Sequence, residues 1–155
     1  MERTGDTRLR LKFLAAYTDF VQANSSIPCW KPHQWNLIPH PIGRPATFIF
    51  SKVTSSFSNV TSDSQPELRV ELVLGSKNSK QDFAALQCRK GEIENAIDLP
   101  LSWYNPPNRR VCRIYTGKHS DFRNPELWPE QQRWLLQTVE KFHDVFIRVL
   151  KEIDH

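Results

Sequence analysis

No hydrophobic run in this chain approaches the ~18 residues that a membrane-spanning helix needs. Cysteine is scarce: Cys29, Cys88 and Cys112 stand far apart among 155 residues. An odd, sparse set reads as reduced thiols in a cytoplasmic protein, not as a disulfide framework. The opening MERTGDTRLRLK carries acids and no apolar segment, so it does not read as a secretory signal. The Asn59-Val60-Thr61 sequon therefore carries no weight. Acidic residues are missing altogether between Asp19 and Asp63. No repeat, linker or low-complexity segment appears, and no motif names a reaction.

What is present suits one domain with a real core. Hydrophobic residues make up 39% of the chain and charged residues 25%, which is ordinary for a globular protein. The formal charge of +4 permits nucleic acid or an acidic partner without requiring either, because net charge governs association and not fold.

The strongest pattern lies in residues 129–153. Leu135, Val139, Phe142, Phe146, Val149 and Ile153 recur at alternating steps of four and three, the period of a helix with one apolar face. Trp134, Leu136, Val145 and Leu150 widen that face, and Pro129 suits a first turn. Residues 7–23 predict a first helix, with Leu9, Phe13, Ala16, Tyr17 and Phe20 on one side and Leu14 and Val21 at its edge.

Between them the periodicity changes to two. A short strand is expected at 34–38, confined or ended by Pro39 and Pro41. A second is expected at 46–53, then a turn-rich loop over 54–66. Residues 67–74, ELRVELVL, alternate cleanly, which predicts a half-buried strand with Glu67, Arg69 and Glu71 on a polar outer face. Residues 80–97 predict a helix, with Gly91 as the place for a kink. Strands follow at 99–104 and 109–116, joined by the Asn105-Pro106-Pro107-Asn108 turn, and a polar loop is expected over 117–127. The expected fold is a single α+β domain over residues 1–155 in the order α-β-β-β-α-β-β-α. Its mostly antiparallel sheet has about five strands, with the first and last helices packed on one face.

Several stretches together resemble a bacterial family of uncharacterised domains, domain of unknown function 4268. They are RLKFLAAYTDF, HQWNLIPHPIG, LRVELVLG with the later KGEIENAI, and LSWY, RRVCRIYTG and LWPEQQRWLLQTVEKFHDVF. The resemblance covers nearly all of the chain. It implies a setting of restriction or defence, because such domains often follow nuclease-like domains. It transfers no catalytic residue.

Two groups of residues are candidates for a nucleic-acid surface. The acid-free stretch holds Lys31, Arg44 and Lys52 among Trp30, Trp35, Phe48, Phe50 and Phe57. Cations track phosphates and rings stack on bases. The alternative is that these rings fill the core. The second group is Arg109, Arg110, Arg113 and Lys118, with Tyr104, Tyr115 and His119 nearby. Guanidinium forks after a Pro-Pro turn suit phosphate contacts, whereas a charged hairpin edge that blocks strand pairing is the structural alternative. A binding surface requires the two groups to meet.

Other chemistry is less well supplied. A restriction-type nuclease needs clustered carboxylates around magnesium, yet the first two expected strands hold no acid. Cys29, His33 and His40 lack the second close pair that a structural zinc site wants. Cys88 with His143 has no motif to make it a nucleophile pair. Trp128 and Trp134 can serve an interface, such as that of a homodimer, or the domain's own core. The reading is a non-catalytic accessory or binding module with no cofactor, and no site residue is assigned to catalysis or metal. Its partner is expected to be DNA, RNA or a nuclease-bearing protein, and not a membrane. A protein-interaction or oligomerisation domain, and a divergent nuclease domain, are the alternatives.

Overall fold

The structure, a computed structural model, describes residues 4–32, 36–54 and 66–154. Five strands form one antiparallel sheet: β1 (Leu37–Arg44), β2 (Thr47–Thr54), β3 (Glu67–Leu74), β4 (Ser102–Tyr104) and β5 (Cys112–His119). Their order across the sheet is β1-β2-β3-β5-β4, which makes β3 the central strand. The helices are α1 (Thr4–Asn24), α2 (Ser79–Gln87), α3 (Lys90–Ile97) and α4 (Trp128–Ile153), with a single 3-10 turn at Pro125–Leu127. The expected antiparallel α+β sheet is present, with one helix more than expected.

The core lies between the helices and one face of the sheet. Ile38, Ile49, Val53, Leu68, Val70, Leu72, Leu74, Cys112 and Ile114 project into it from the strands. From α4, Leu135, Val139, Phe142, Phe146 and Val149 meet them, all fully buried. This is the stripe the sequence shows, and each such side chain is worth about 1.5–3 kcal/mol when removed from water. α4 packs on β2 and β3, and α1 on β1 and α4, so the first and last helices do share a face. The buried side of α1 runs Arg10, Phe13, Leu14, Tyr17 and Val21. It is turned slightly from the expected stripe, because the Arg10 guanidinium lies over the Phe122 ring, 4.9 Å from its centre. The aromatics at the start of α4 serve this core: Trp128 packs edge-on against Phe13 at 5.3 Å, and its Nε1–H donates to the Phe122 carbonyl at 2.7 Å.

Four expectations are corrected. The first strand runs through both prolines instead of stopping at them. The Trp30 N–H donates to the Pro39 carbonyl at 3.0 Å, so the polar groups of Pro39 point away from β2, and those of Pro41, two residues on, follow. A missing N–H costs nothing to the β1–β2 ladder there. The expected helix over 80–97 is two helices, broken at Cys88–Arg89 and not at Gly91. The Arg89 N–H turns back to the Leu86 carbonyl at 2.9 Å, and Asp98, with φ 58°, ends α3 in the left-handed region that Asp tolerates. The last full strand is shifted, so Lys118 and His119 belong to β5 and not to a loop. Finally, all eight residues of β3 are buried, and its charged side is no solvent-facing edge.

Beneath the sheet sits a buried polar chain. His40 Nδ1 lies 2.9 Å from the Pro28 carbonyl. A carbonyl only accepts, so Nδ1 carries the proton and Nε2 accepts from Ser51 Oγ at 2.7 Å. Tyr17 then donates to Ser51 Oγ at 2.9 Å. His40, Ser51 and Tyr17 are fully buried, so this serine–histidine pair ties β1, β2 and α1 together. Burial lowers the His40 pKa to about 4 and raises that of Tyr17 far above its ordinary value. His143, a packed or rim histidine by its spacing, is half-buried on α4.

Candidate functional site

The sheet register places a second set of side chains on the face opposite the helices. Phe48 and Phe50 on β2 stand beside Val73 and Glu71 on β3, and these beside Arg113 and Tyr115 on β5. Lys52 stands beside Arg69, and Arg69 beside Gly117. On the edges, Pro39 and Pro41 flank the phenylalanines and Tyr104 flanks Arg113. No helix among the described residues packs on this face.

Glu71 is its electrostatic centre. Its carboxylate accepts from Lys52 at 3.1 Å, from Arg113 at 2.8 Å and from Arg69 at 3.4 Å. Arg69 also forks onto Glu67, 2.8 Å away, and lies under the ring of Tyr115, 4.2 Å from its centre. Burial alone would raise the Glu71 pKa, but Lys52 and Arg113, with Arg69 behind them, hold it below the usual carboxylate value. The Lys52 ammonium is also lowered, by burial, against the pull of Glu71. The two directions look inconsistent for one ion pair. They agree once the carboxylate is shared among three cations, since no single cation is fully compensated. Among the described residues, Lys52, Arg69 and Arg113 stand against Glu67 and Glu71, three cations to two carboxylates.

The same geometry bears on the nuclease alternative. Glu67 and Glu71 straddle Arg69, which binds both, whereas a magnesium site needs carboxylates that converge with little cationic competition. Of Cys29, His33 and His40, whose spacing already speaks against a zinc site, His33 lies outside the described residues, and both ring nitrogens of His40 are engaged in hydrogen bonds.

The aromatic part of the face is a strip. Phe48 and Phe50 lie nearly parallel, 6.0 Å apart with 16° between their planes. Trp30 reaches across β1 to pack edge-on against Phe48 at 5.2 Å, and 53% of its surface stays exposed. Tyr104, at the far edge, is 42% exposed.

The structure thus unites part of the expected cationic set and separates the rest. Lys52 from the first group and Arg113 from the second meet on Glu71. Arg44 and Arg110 meet elsewhere, at one end of the sheet, in a cleft of about 660 Å³ that Lys77 also lines. Arg44 there is held by Asp82 at 3.0 Å and by Asp154. Arg109 is exposed in the neighbouring turn, and Lys31 is exposed beside Trp30. Lys118 stands opposite Leu68 on the helix side at the other end of β5. The strand between spans roughly 23 Å at about 3.3 Å per residue, so Lys118 is remote from Arg109 and Arg110. Trp35 lies outside the described residues, as do Phe57 and most of the expected loop around it. Arg69, Glu67 and Glu71 were not among the expected site residues. Their signal was the Glu-X-Arg-X-Glu alternation within the most apolar strand of the chain.

An antiparallel sheet with helices on one face and charged and aromatic side chains on the other defines the class: an α+β domain of two layers. The chain belongs to the family described as a domain of unknown function, DUF4268, whose family model matches residues 9–150. No curated protein matches the chain. No solved structure matches it either.

Proposed function

We propose that this domain is a non-catalytic module that binds nucleic acid through the sheet face opposite its helices. The observation that carries the reading is the meeting of Lys52 and Arg113 on Glu71 beside the Phe48–Phe50 strip. Positive charge beside stacking surfaces is the combination that nucleic acid requires. Glu71 fixes both cations across the face in advance, so little side-chain freedom is lost on binding. Arg109 and Arg110, exposed just before β5 at the end of the sheet, stand apart from Lys52 and Arg113 and would extend the cationic path for a phosphate backbone that runs past that end.

The experiment is anisotropy of labelled oligonucleotides of about 15 nucleotides, titrated with protein from about 50 to 200 mM salt. The expected result is a log Kd that rises linearly with log salt. The double variant Arg109→Ala/Arg110→Ala should bind less tightly at low salt and show a slope shallower by about one per lost phosphate contact. Absence of binding at the lowest salt would overturn the reading.

A further inference from the structure

Resting on that nucleic-acid reading, we infer that the ligand is a single strand, with its unpaired bases laid on Trp30, Phe48 and Phe50. Trp30 is the telling residue. Its backbone is fixed at two points: its N–H bonds the Pro39 carbonyl at 3.0 Å, and two residues earlier the Pro28 carbonyl is held by His40 at 2.9 Å. Its ring rests edge-on against Phe48, yet more than half of it faces solvent. A large ring held firmly and left exposed adds little to the core and offers a surface to a partner.

The three rings run from the β1 edge onto β2 as one strip. Phe48 and Phe50, two residues apart on one strand, repeat the ring at the spacing of the pleat. Aromatics on the open face of a helix-backed antiparallel sheet stack two or three splayed bases in a well-known mode of single-strand binding. Lys52 continues the same row of β2, and Arg113 stands across Val73 from Phe48, so cations border the rings where the backbone of a strand would pass. Charge complementarity therefore selects a polyanion, and the rings select one whose bases are exposed. In a duplex the base faces are stacked inside, and none of the described elements on this face projects as a helix or ribbon to enter a groove. Stacking on rings is tolerant of sequence, because every base has a π face.

The test compares oligo-dT, oligo-rU and a duplex of equal length against the wild type, Trp30→Ala and Phe48→Leu/Phe50→Leu. Unfolding midpoints confirm that each variant is folded. Trp30 is exposed and tolerates truncation, and leucine keeps apolar volume if the phenylalanines are needed for packing. The expected result is tighter binding of at least one single strand than of duplex. Trp30→Ala should weaken it between about fivefold and a hundredfold, with the salt slope unchanged because no charge is removed. Which of dT and rU binds better identifies the sugar, and either preference over duplex supports the inference. Duplex binding as tight as single-strand binding, with Trp30→Ala neutral, would overturn the inference and leave the nucleic-acid reading standing. Failure of all three ligands to bind would overturn both.

Discussion

The carboxylate of Glu67 occupies the space in which a side chain at Gly117 would stand. A Cβ built on Gly117 lies 2.6 Å from Glu67 Oε1 and 2.8 Å from its Cδ. Glycine on β5 is thus what lets Glu67 lie flat beside β3 and reach the Arg69 guanidinium at 2.8 Å. The chain gives up strand propensity at this position to complete a buried ion pair.

Gly117→Ala should therefore destabilise the fold by about 1–3 kcal/mol, the usual cost of overpacking a filled site. Urea unfolding measures it. In a Glu67→Ala background the same substitution should cost much less, because the obstructing carboxylate is gone, and the double-mutant cycle should show coupling. An additive result would mean that Glu67 does not sit where the register places it.

Glu71 and Lys52 should differ sharply on removal. Glu71→Ala leaves three cations without their shared carboxylate, and breaking a buried pair from that side costs about 3–5 kcal/mol. Lys52→Met leaves Glu71 with Arg113 and Arg69, and its apolar stem is preserved, so the loss should be well below that of Glu71→Ala. Equal losses in the unfolding midpoint would contradict the shared-carboxylate arrangement.

His40 should make the fold acid-sensitive in a defined window. Its pKa is lowered from 6.5 unfolded to about 4 folded, so the unfolded chain takes up the proton first as pH falls. The stabilising contribution is complete above about pH 6.5 and is lost on descent to pH 4. The gap corresponds to about 3 kcal/mol. Unfolding curves between pH 7 and 4 should show this slope, and His40→Gln should reduce it, leaving the part due to His143, whose pKa burial also lowers. Glu71, whose folded value lies below the ordinary 4.5, adds a further loss only below that pH, so the two contributions fall in separate ranges.

The elements themselves were legible where one periodicity ran long enough. The β3 alternation and the α4 stripe place both elements within a residue. Alternation shows that a strand has two faces but not what lies over each, so Glu67, Arg69 and Glu71 read as solvent-facing when they are the buried centre of the sheet. The prolines of β1 read as stops because nothing local shows which edge their missing N–H groups face. The break at Cys88–Arg89 carries no Gly or Pro to announce it, while Gly91 does and is plain helix. Phe122, fully buried, lies in a stretch whose composition reads as polar loop. For the candidate site, composition alone picked out both cationic groups and the rings of 48–50. Only the strand register could show that Lys52 and Arg113 share one carboxylate while Arg44, Arg110 and Lys118 lie apart.

The most direct measurement is an NMR titration of isotope-labelled protein with a single-stranded oligonucleotide. Binding on the face opposite the helices predicts shift changes at the Trp30 indole N–H and at the amides of Phe48, Phe50, Lys52, Arg113 and Tyr115, with the outer side of α4 at Asp144 and Lys151 unmoved. Changes confined to the helix side, or none at saturating oligonucleotide, would contradict the assignment of this face as the binding surface.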